Sequence, residues 1–200
     1  MQKNLCIYLI SVILLFALYP MTGAEERSSS EALLLIDIQD FYFPGGRTPL
    51  VGPVSASLKA KQILNFFREM DLPVVHIRHV SQSGSGIHEN VKPQESEKVI
   101  SKNDVNSFKN TDLLAYLKAN NIRKLVICGL MTHMCVEAAV RAAHDFGFEV
   151  ILVHDACATR SIMFGNVEIS AEAVHHSTLA SLSGYYARVV DTETFLREFF

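Results

Sequence analysis

The sequence lacks the features that mark a polyanion binder. Lys and Arg number 18 against 21 Asp and Glu, for a formal net charge of -3. The basic residues are scattered and form no stripe interleaved with aromatics. A mildly acidic chain has no general attraction for nucleic acid or an anionic membrane surface, so neither is expected as a partner. Internal repeats and low-complexity tracts are also missing, which excludes solenoids and arrays. No G-x-S-x-G elbow is present, so serine-hydrolase chemistry of that type has no nucleophile to use. The glycine-containing stretch Gln82 to Gly86 is followed by neither Lys-Ser/Thr nor a helix. It reads as a flexible loop or lid and not as a phosphate cradle. With 49% hydrophobic and 20% charged residues, the composition is that of a folded chain. A length of 200 residues holds one α/β domain with a sizeable core and is too short for two.

Cysteine is scarce, and its placement is informative. At the N-terminus Lys3 is followed by an apolar run from Leu5 to Tyr19, interrupted only by Ser11, then Pro20, the small residues Thr22, Gly23 and Ala24, and the acids Glu25 and Glu26. This order of charge, apolar core and small residues is that of a secretory signal peptide. The run falls short of the ~20 residues that span a bilayer comfortably. The expected organisation is a signal peptide over 1–24, a short polar linker over 25–30 and one domain over 31–200. The protein is then exported, periplasmic or secreted, with no membrane attachment after cleavage. Cys6 leaves with the leader, and Cys128, Cys135 and Cys157 remain. An odd number implies at least one free thiol, and the spacing is no small-domain disulfide framework. Cys128 and Cys157 end two expected buried strands, where cysteine behaves as a small hydrophobe. A bridge between them stays open but is not expected.

Apolar runs alternate with helix-like periods along the rest of the chain. Strands are expected at Ala32 to Ile36, Leu72 to Ile77, Lys98 to Ser101, Lys124 to Cys128, Glu149 to Val153 and, weakly, Arg188 to Val190. Near-continuous apolar strands suit a parallel sheet covered on both faces. Helices are expected at Val54 to Met70 (apolar at Leu58, Ile63, Leu64 and Phe67), Thr111 to Asn120, Cys135 to Phe146, Ser170 to Leu182 and Thr192 to Phe199. Irregular stretches fall at Phe41 to Pro53, Val80 to Glu97 and Thr159 to Ile169. The alternation predicts a doubly wound, Rossmann-like three-layer α/β sandwich with a mostly parallel sheet of about six strands.

Such sheets bind ligands beyond the carboxyl ends of their strands. Asp37, Arg78, His79, Lys102, the Gly129 to Cys135 loop and Asp155 all take that position. Cys135 is placed in the first turn of a helix, where free N–H groups and the helix dipole favour a thiolate and can hold an oxyanion. A structural cysteine on the buried side of that helix is the competing reading. Asp37 ends a buried run, so its carboxylate needs either a partner or a task. Beside a thiol it can take the proton and return it to a leaving group. Lys102 can keep Asp37 ionised and favour a thiolate or oxyanion; taken alone, it reads more readily as a solvated surface lysine.

Three segments together resemble the isochorismatase-like cysteine hydrolases, which include nicotinamidases and N-carbamoylsarcosine amidohydrolase. They are ALLLIDIQDFYFPGG (Ala32 to Gly46), VISKNDVNSF (Val99 to Phe108) and GLMTHMCVEAAVRAAHDFGFEVILVHDACATR (Gly129 to Arg160). The resemblance implies a Cys135–Asp37–Lys102 triad, attack of the thiolate on an amide-like carbonyl, and a thioester that water cleaves. It implies a cis peptide at Leu130–Met131 and an oxyanion hole formed by the Met131 and Cys135 N–H groups. It also implies a small-molecule substrate, no cofactor and, since relatives often assemble, a homo-oligomer as an option. The C-terminal FLREFF offers apolar surface for one.

The departures narrow the reading. Metal-binding relatives carry Asp-x-His and further histidines; here the corresponding stretch holds His76, His79 and His88 without that aspartate, so no metal is expected. Relatives that cleave a vinyl ether lack the nucleophilic cysteine, and this chain has it. Gln39, Phe41, Phe43, His79 and His133 are candidates for the pocket wall. Asp155 is expected to brace the loop into Cys157, and Arg160 to be solvated. A family-fold protein that binds a small ligand without turnover, and an esterase on the same triad, stay open beside the amide hydrolase.

Overall fold

The computed structural model describes residues 30–81 and 84–198. The expected leader, most of the linker, Gln82 and Ser83 of the loop, and the two terminal phenylalanines lie outside the described residues. The main sheet has six strands: β1 (Glu31–Ile36), β2 (Val74–His79), β3 (Lys98–Lys102), β4 (Lys124–Leu130), β5 (Glu149–Ala158) and β8 (Arg188–Val190). A separate hairpin joins β6 (Ile162–Phe164) to β7 (Val167–Ile169). The sheet order is β3-β2-β1-β4-β5-β8, and every neighbouring pair is parallel. β1 explains its own central position: Ala32 to Ile36 are all apolar and essentially fully buried. Such a strand is stable only where both faces of the sheet are covered.

The cover comes from α1 (Pro53–Glu69), α2 (Leu113–Ala119), α3 (Glu137–Asp145), α4 (Ala171–Leu182) and α5 (Thr192–Glu198). Right-handed crossovers assign their faces. The chain steps one way from β1 to β2 and the other way from β3 to β4, β4 to β5 and β5 to β8. Accordingly α1 lies on one face and α2, α3 and α4 on the other. α5 packs on α1, and α3 on α4. The first layer is locked by Phe66 and Phe67 of α1, whose ring centroids lie 6.0 and 6.3 Å from that of Phe195 in α5. α1 opens with Pro53 at its first turn, where the missing N–H costs nothing. It buries Ala56, Ala60, Ile63, Leu64 and Phe67. Leu58 falls on the far side and is 47% exposed, so it is no part of the expected apolar stripe.

Two stretches differ from the expected pattern. β5 runs on to Ala158, because a register shift between Ile127 and Gly129 lets β4 and β5 continue side by side past polar His154 and Asp155. Asp155 is therefore inside a strand. Its Oδ1 accepts from the backbone N–H and hydroxyl of Thr192, both at 2.8 Å, and so ties β5 to the start of α5. The segment 162–169, expected to be irregular, is the β6–β7 hairpin. Among the described residues no helix is long and apolar enough to cross a membrane.

The reversal of winding direction falls between β1 and β4. In an open α/β sheet that point leaves a crevice at the strands' carboxyl ends.

Candidate active site

Three elements deliver one side chain each to that crevice. Asp37 follows β1 directly, with its N–H donating to the Ile77 carbonyl at 3.0 Å. Its φ of 50° lies in the left-handed region, which aspartate tolerates better than most residues. Lys102 is the last residue of β3. Cys135 sits in a single π-helical turn, Thr132–Val136, between β4 and α3. The turn is closed by the Val136 N–H donating to the Met131 carbonyl at 3.3 Å. The first turn of α3, where Cys135 was expected, therefore begins two residues beyond it. The Leu130–Met131 peptide bond is cis. Just before it, Gly129 has φ 143°, and a Cβ there would lie 2.1 Å from the Ile36 carbonyl oxygen. Only glycine lets β4 come this close to the end of β1, so it sets the approach of Cys135 to Asp37.

The Lys102 Nζ joins the three side chains. It lies 2.7 Å from Asp37 Oδ2 and 3.2 Å from Cys135 Sγ. It is also 3.1 Å from the Asp104 carbonyl, 3.4 Å from that of Val105 and 3.4 Å from His79 Nδ1. Asp37 is 0% exposed, Lys102 1% and Cys135 5%, so a reactant can reach the cluster only from the sulphur side. The Asp37 carboxylate and the Cys135 thiol also act on one another electrostatically.

Burial governs the electrostatics. It pushes the Cys135 thiol up to about 12, the Asp37 carboxylate acts in the same direction, and Lys102 opposes both. Burial also holds the Asp37 carboxyl above its ordinary value against the pull of Lys102. The expectation of a thiolate stabilised by a helix N-terminus is thus corrected. Desolvation of the sulphur outweighs the local dipole, and the resting cysteine keeps its proton beside a carboxylate made unusually ready to accept it.

The residues around the cluster divide by task. Gln39, expected to line the pocket, is a brace: its Nε2 donates to the His79 and Ser85 carbonyls at 3.0 and 2.8 Å, and its Oε1 accepts from the His79 N–H at 2.7 Å. With every polar atom of its side chain engaged, it has none for a substrate. His79 lies against Lys102. Phe43 stacks on His88 at 3.6 Å between centroids, and the Phe41 and Tyr42 rings lie 4.2 Å apart. His133 Nδ1 is 2.5 Å from Thr159 Oγ1, and burial lowers its pKa and favours the neutral ring. Thr132 Oγ1 is 2.9 Å from His175 Nδ1 of α4. The loop carrying Cys135 is thus held from two sides.

Tyr42 was not anticipated. Burial raises its hydroxyl pKa, and the Cys135 and Asp37 charges act in the same direction. The sequence signal was present: Tyr42 is the one ring of the Phe-Tyr-Phe run with a polar tip.

His76, His79 and His88 do not converge. His76 Nε2 bonds Glu97 Oε2 at 2.9 Å, whereas His79 meets Lys102 and His88 stacks on Phe43. Among the described residues no group of three ligating side chains could hold a metal ion. Cys128, Cys135 and Cys157 are free thiols. A cavity of about 270 Å³ at the end of β5, lined by Ser55, Asp155, Cys157, Thr159, Glu172 and His175 among others, contains none of the three clustered residues.

Comparison with known proteins places this geometry. The family profile described as Isochorismatase domain matches residues 31–194. The isochorismatase family protein YddQ of Bacillus subtilis is 42% identical over 177 residues, covering 83% of this chain and 98% of that protein. A crystal structure described as an isochorismatase hydrolase, from Oleispira antarctica, superposes with a TM-score of 0.81 at 42% identity, covering 84% of this chain and 96% of its own. Nicotinamidase 3 of Arabidopsis thaliana is 24% identical over 202 residues, covering 90% of this chain and 93% of the plant protein.

Proposed function

The chain belongs to the isochorismatase family of cysteine hydrolases, and from that premise we propose that it cleaves the C–N bond of a small amide-like substrate through a thioester on Cys135. The observation that carries this reading is the placement of Lys102 Nζ, 2.7 Å from the Asp37 carboxylate and 3.2 Å from the Cys135 sulphur, in an almost fully buried cluster.

In this mechanism Asp37 takes the thiol proton as sulphur attacks the carbonyl carbon. A base with a raised pKa is matched to that transfer. Negative charge moves from the carboxylate, through sulphur, to the carbonyl oxygen, where the N–H groups of Met131 and Cys135 receive it. Lys102 remains the fixed counter-charge throughout. Collapse of the tetrahedral species expels the amine, which leaves with the proton held by Asp37. Asp37 then deprotonates water for attack on the thioester, and its proton returns to sulphur as the acid product departs. The similarity to a nicotinamidase supports the choice of an amide-like bond.

The test is a panel of primary amides, ureas and carbamoyl compounds scored for ammonia release by the full chain and by Cys135→Ser. The expected outcome is release by the wild-type protein, reduced at least about 10³-fold in the variant. Turnover retained in Cys135→Ser would rule out the covalent route.

A further inference from the structure

The β6–β7 hairpin is short, apolar and largely uncovered. Its strands join through the turn residues Gly165 and Asn166. They pair Ile162 with Ile169, Met163 with Glu168 and Phe164 with Val167. Residues directly opposite one another, and those two apart along a strand, share a face. One face is therefore entirely apolar, with Ile162 and Ile169 at the base and Phe164 and Val167 at the tip. The base is half-buried, but Val167 is 63% exposed and Phe164 81%. A hairpin alone is marginally stable in water, and an exposed apolar face of this kind marks a surface that another body covers.

The chain enters the hairpin from Thr159 and leaves it to Ala171, and both residues line the cavity at the end of β5, with Val51 and Ser55. The cavity's volume of about 270 Å³ falls below the ~300–1,000 Å³ of a typical small-molecule pocket. It leaves room for one aromatic side chain. Val51, on its wall, is itself 65% exposed. One surface thus carries a protruding ring and, close to it, a hollow of matching size. Such a surface is self-complementary, because a two-fold axis between knob and hollow makes both contacts at once. The C-terminal FLREFF, expected to offer apolar surface for assembly, has spent part of it: Phe195 is fully buried and Leu196 packs against the core.

We propose that this surface is the interface of a homodimer, in which Phe164 of each copy fills the cavity of the other. Met163, Phe164, Val167 and Val51 with the cavity wall, counted on both copies, give a contact on the order of 1,000 Å², the size that separates a specific association from a casual one. The inserted ring displaces water from the side chains of Val51, Ala158 and Ala171, which line the cavity. The contact also reaches the candidate active site. Thr159 and His175 line the same cavity, and they hold His133 and Thr132 of the turn that carries Cys135. A second copy docked here packs against both braces of that turn.

Sedimentation velocity of the full chain across the micromolar range tests this, together with cross-linking from a photo-reactive benzoylphenylalanine in place of Phe164. The wild-type protein is expected to sediment as a dimer. Phe164→Asp, which removes the knob, and Ala171→Trp, which fills the hollow, should each raise the dissociation constant at least about tenfold. Tyr185→Asp alters another exposed ring, 72% exposed and just before β8, and should leave the constant unchanged. Irradiation should give a covalent dimer, with the adduct on a peptide that holds Val51 or Ala171 of the other copy. That arm keeps an aromatic ring at the hairpin tip, so its result does not depend on a variant that has lost packing. A wild-type chain that stays monomeric, which leaves the face to a different kind of partner, would overturn the proposal. So would a Phe164→Asp dimer as tight as the wild type, or adducts confined to other surfaces.

Discussion

The sheet carries two ionic clusters, one fully buried and one half-buried, and they are built to opposite ends. One joins Lys102, Asp37 and Cys135 at the carboxyl edge of the strands. The other joins Arg68 of α1, Glu97 and His76 of β2. Glu97 is saturated: Arg68 grips both its oxygens at 2.7 and 2.9 Å, the Gln94 N–H donates at 2.7 Å, and His76 Nε2 lies at 2.9 Å. Burial works to raise its pKa, but those donors, Arg68 first, win and hold it at about 2. Burial also keeps His76 neutral against the pull of Glu97. Asp37 has one cation and a thiol for company, and there burial wins instead. The difference teaches that burial and an ion pair do not by themselves make a reactive site. A carboxylate surrounded by donors is prevented from taking a proton, whereas a buried one left short of them is prepared to do so.

The sharpest way to break the comparison is to neutralise each acid in turn. Asp37→Asn is expected to cut turnover by about 10²–10⁴-fold, the range for loss of a general base. It also leaves the Lys102 charge buried without its partner, at a cost of up to about 3–5 kcal/mol by urea denaturation. Glu97→Gln should reverse the pattern, with turnover at the wild-type level and a stability loss of about 1–3 kcal/mol. A Glu97→Gln protein that folds normally but has lost turnover would erase the distinction between the clusters.

A subtler separation comes from pH. Glu97 is depressed from an ordinary 4.5 to about 2, so its contribution to stability is complete above 4.5 and is lost as pH falls towards 2. Glu97→Gln should flatten that acid limb. Asp37 is raised above an ordinary 3.8, so its contribution has the other sign: present below 3.8 and lost as pH rises through the raised value. The kcat/KM profile should fall on the acid side as Asp37 is protonated, at a pH above the usual aspartate range. An acid limb at or below pH 3.8 would contradict this.

Much of the architecture was legible because burial on both faces leaves its mark as uninterrupted apolar runs. LLLI before Asp37 could hardly be anything but a central strand ending at a polar crevice. Lys102 was different, since a lysine after a short strand reads more readily as a solvated one. Only its resemblance to a known segment singled it out. The π-helical turn around Cys135 left no local signal, and the dipole argument for a thiolate failed because it took no account of tertiary desolvation. Gln39 was misjudged for a related reason: an amide near a pocket can serve the backbone as readily as a ligand. The Arg68–Glu97–His76 cluster draws its members from three separate elements, so no stretch of sequence displays it.

The proton transfer from Cys135 to Asp37 is the step on which everything else turns, and alkylation by iodoacetamide at near-neutral pH reads it without knowledge of the substrate. With a peptide map following Cys128, Cys135 and Cys157 in the wild-type protein and in Asp37→Asn, Cys135 should be modified well ahead of the other two and lose that lead in the variant. Equal, slow modification of all three thiols, or a Cys135 that reacts as fast without the carboxylate, would show that Asp37 is not its base.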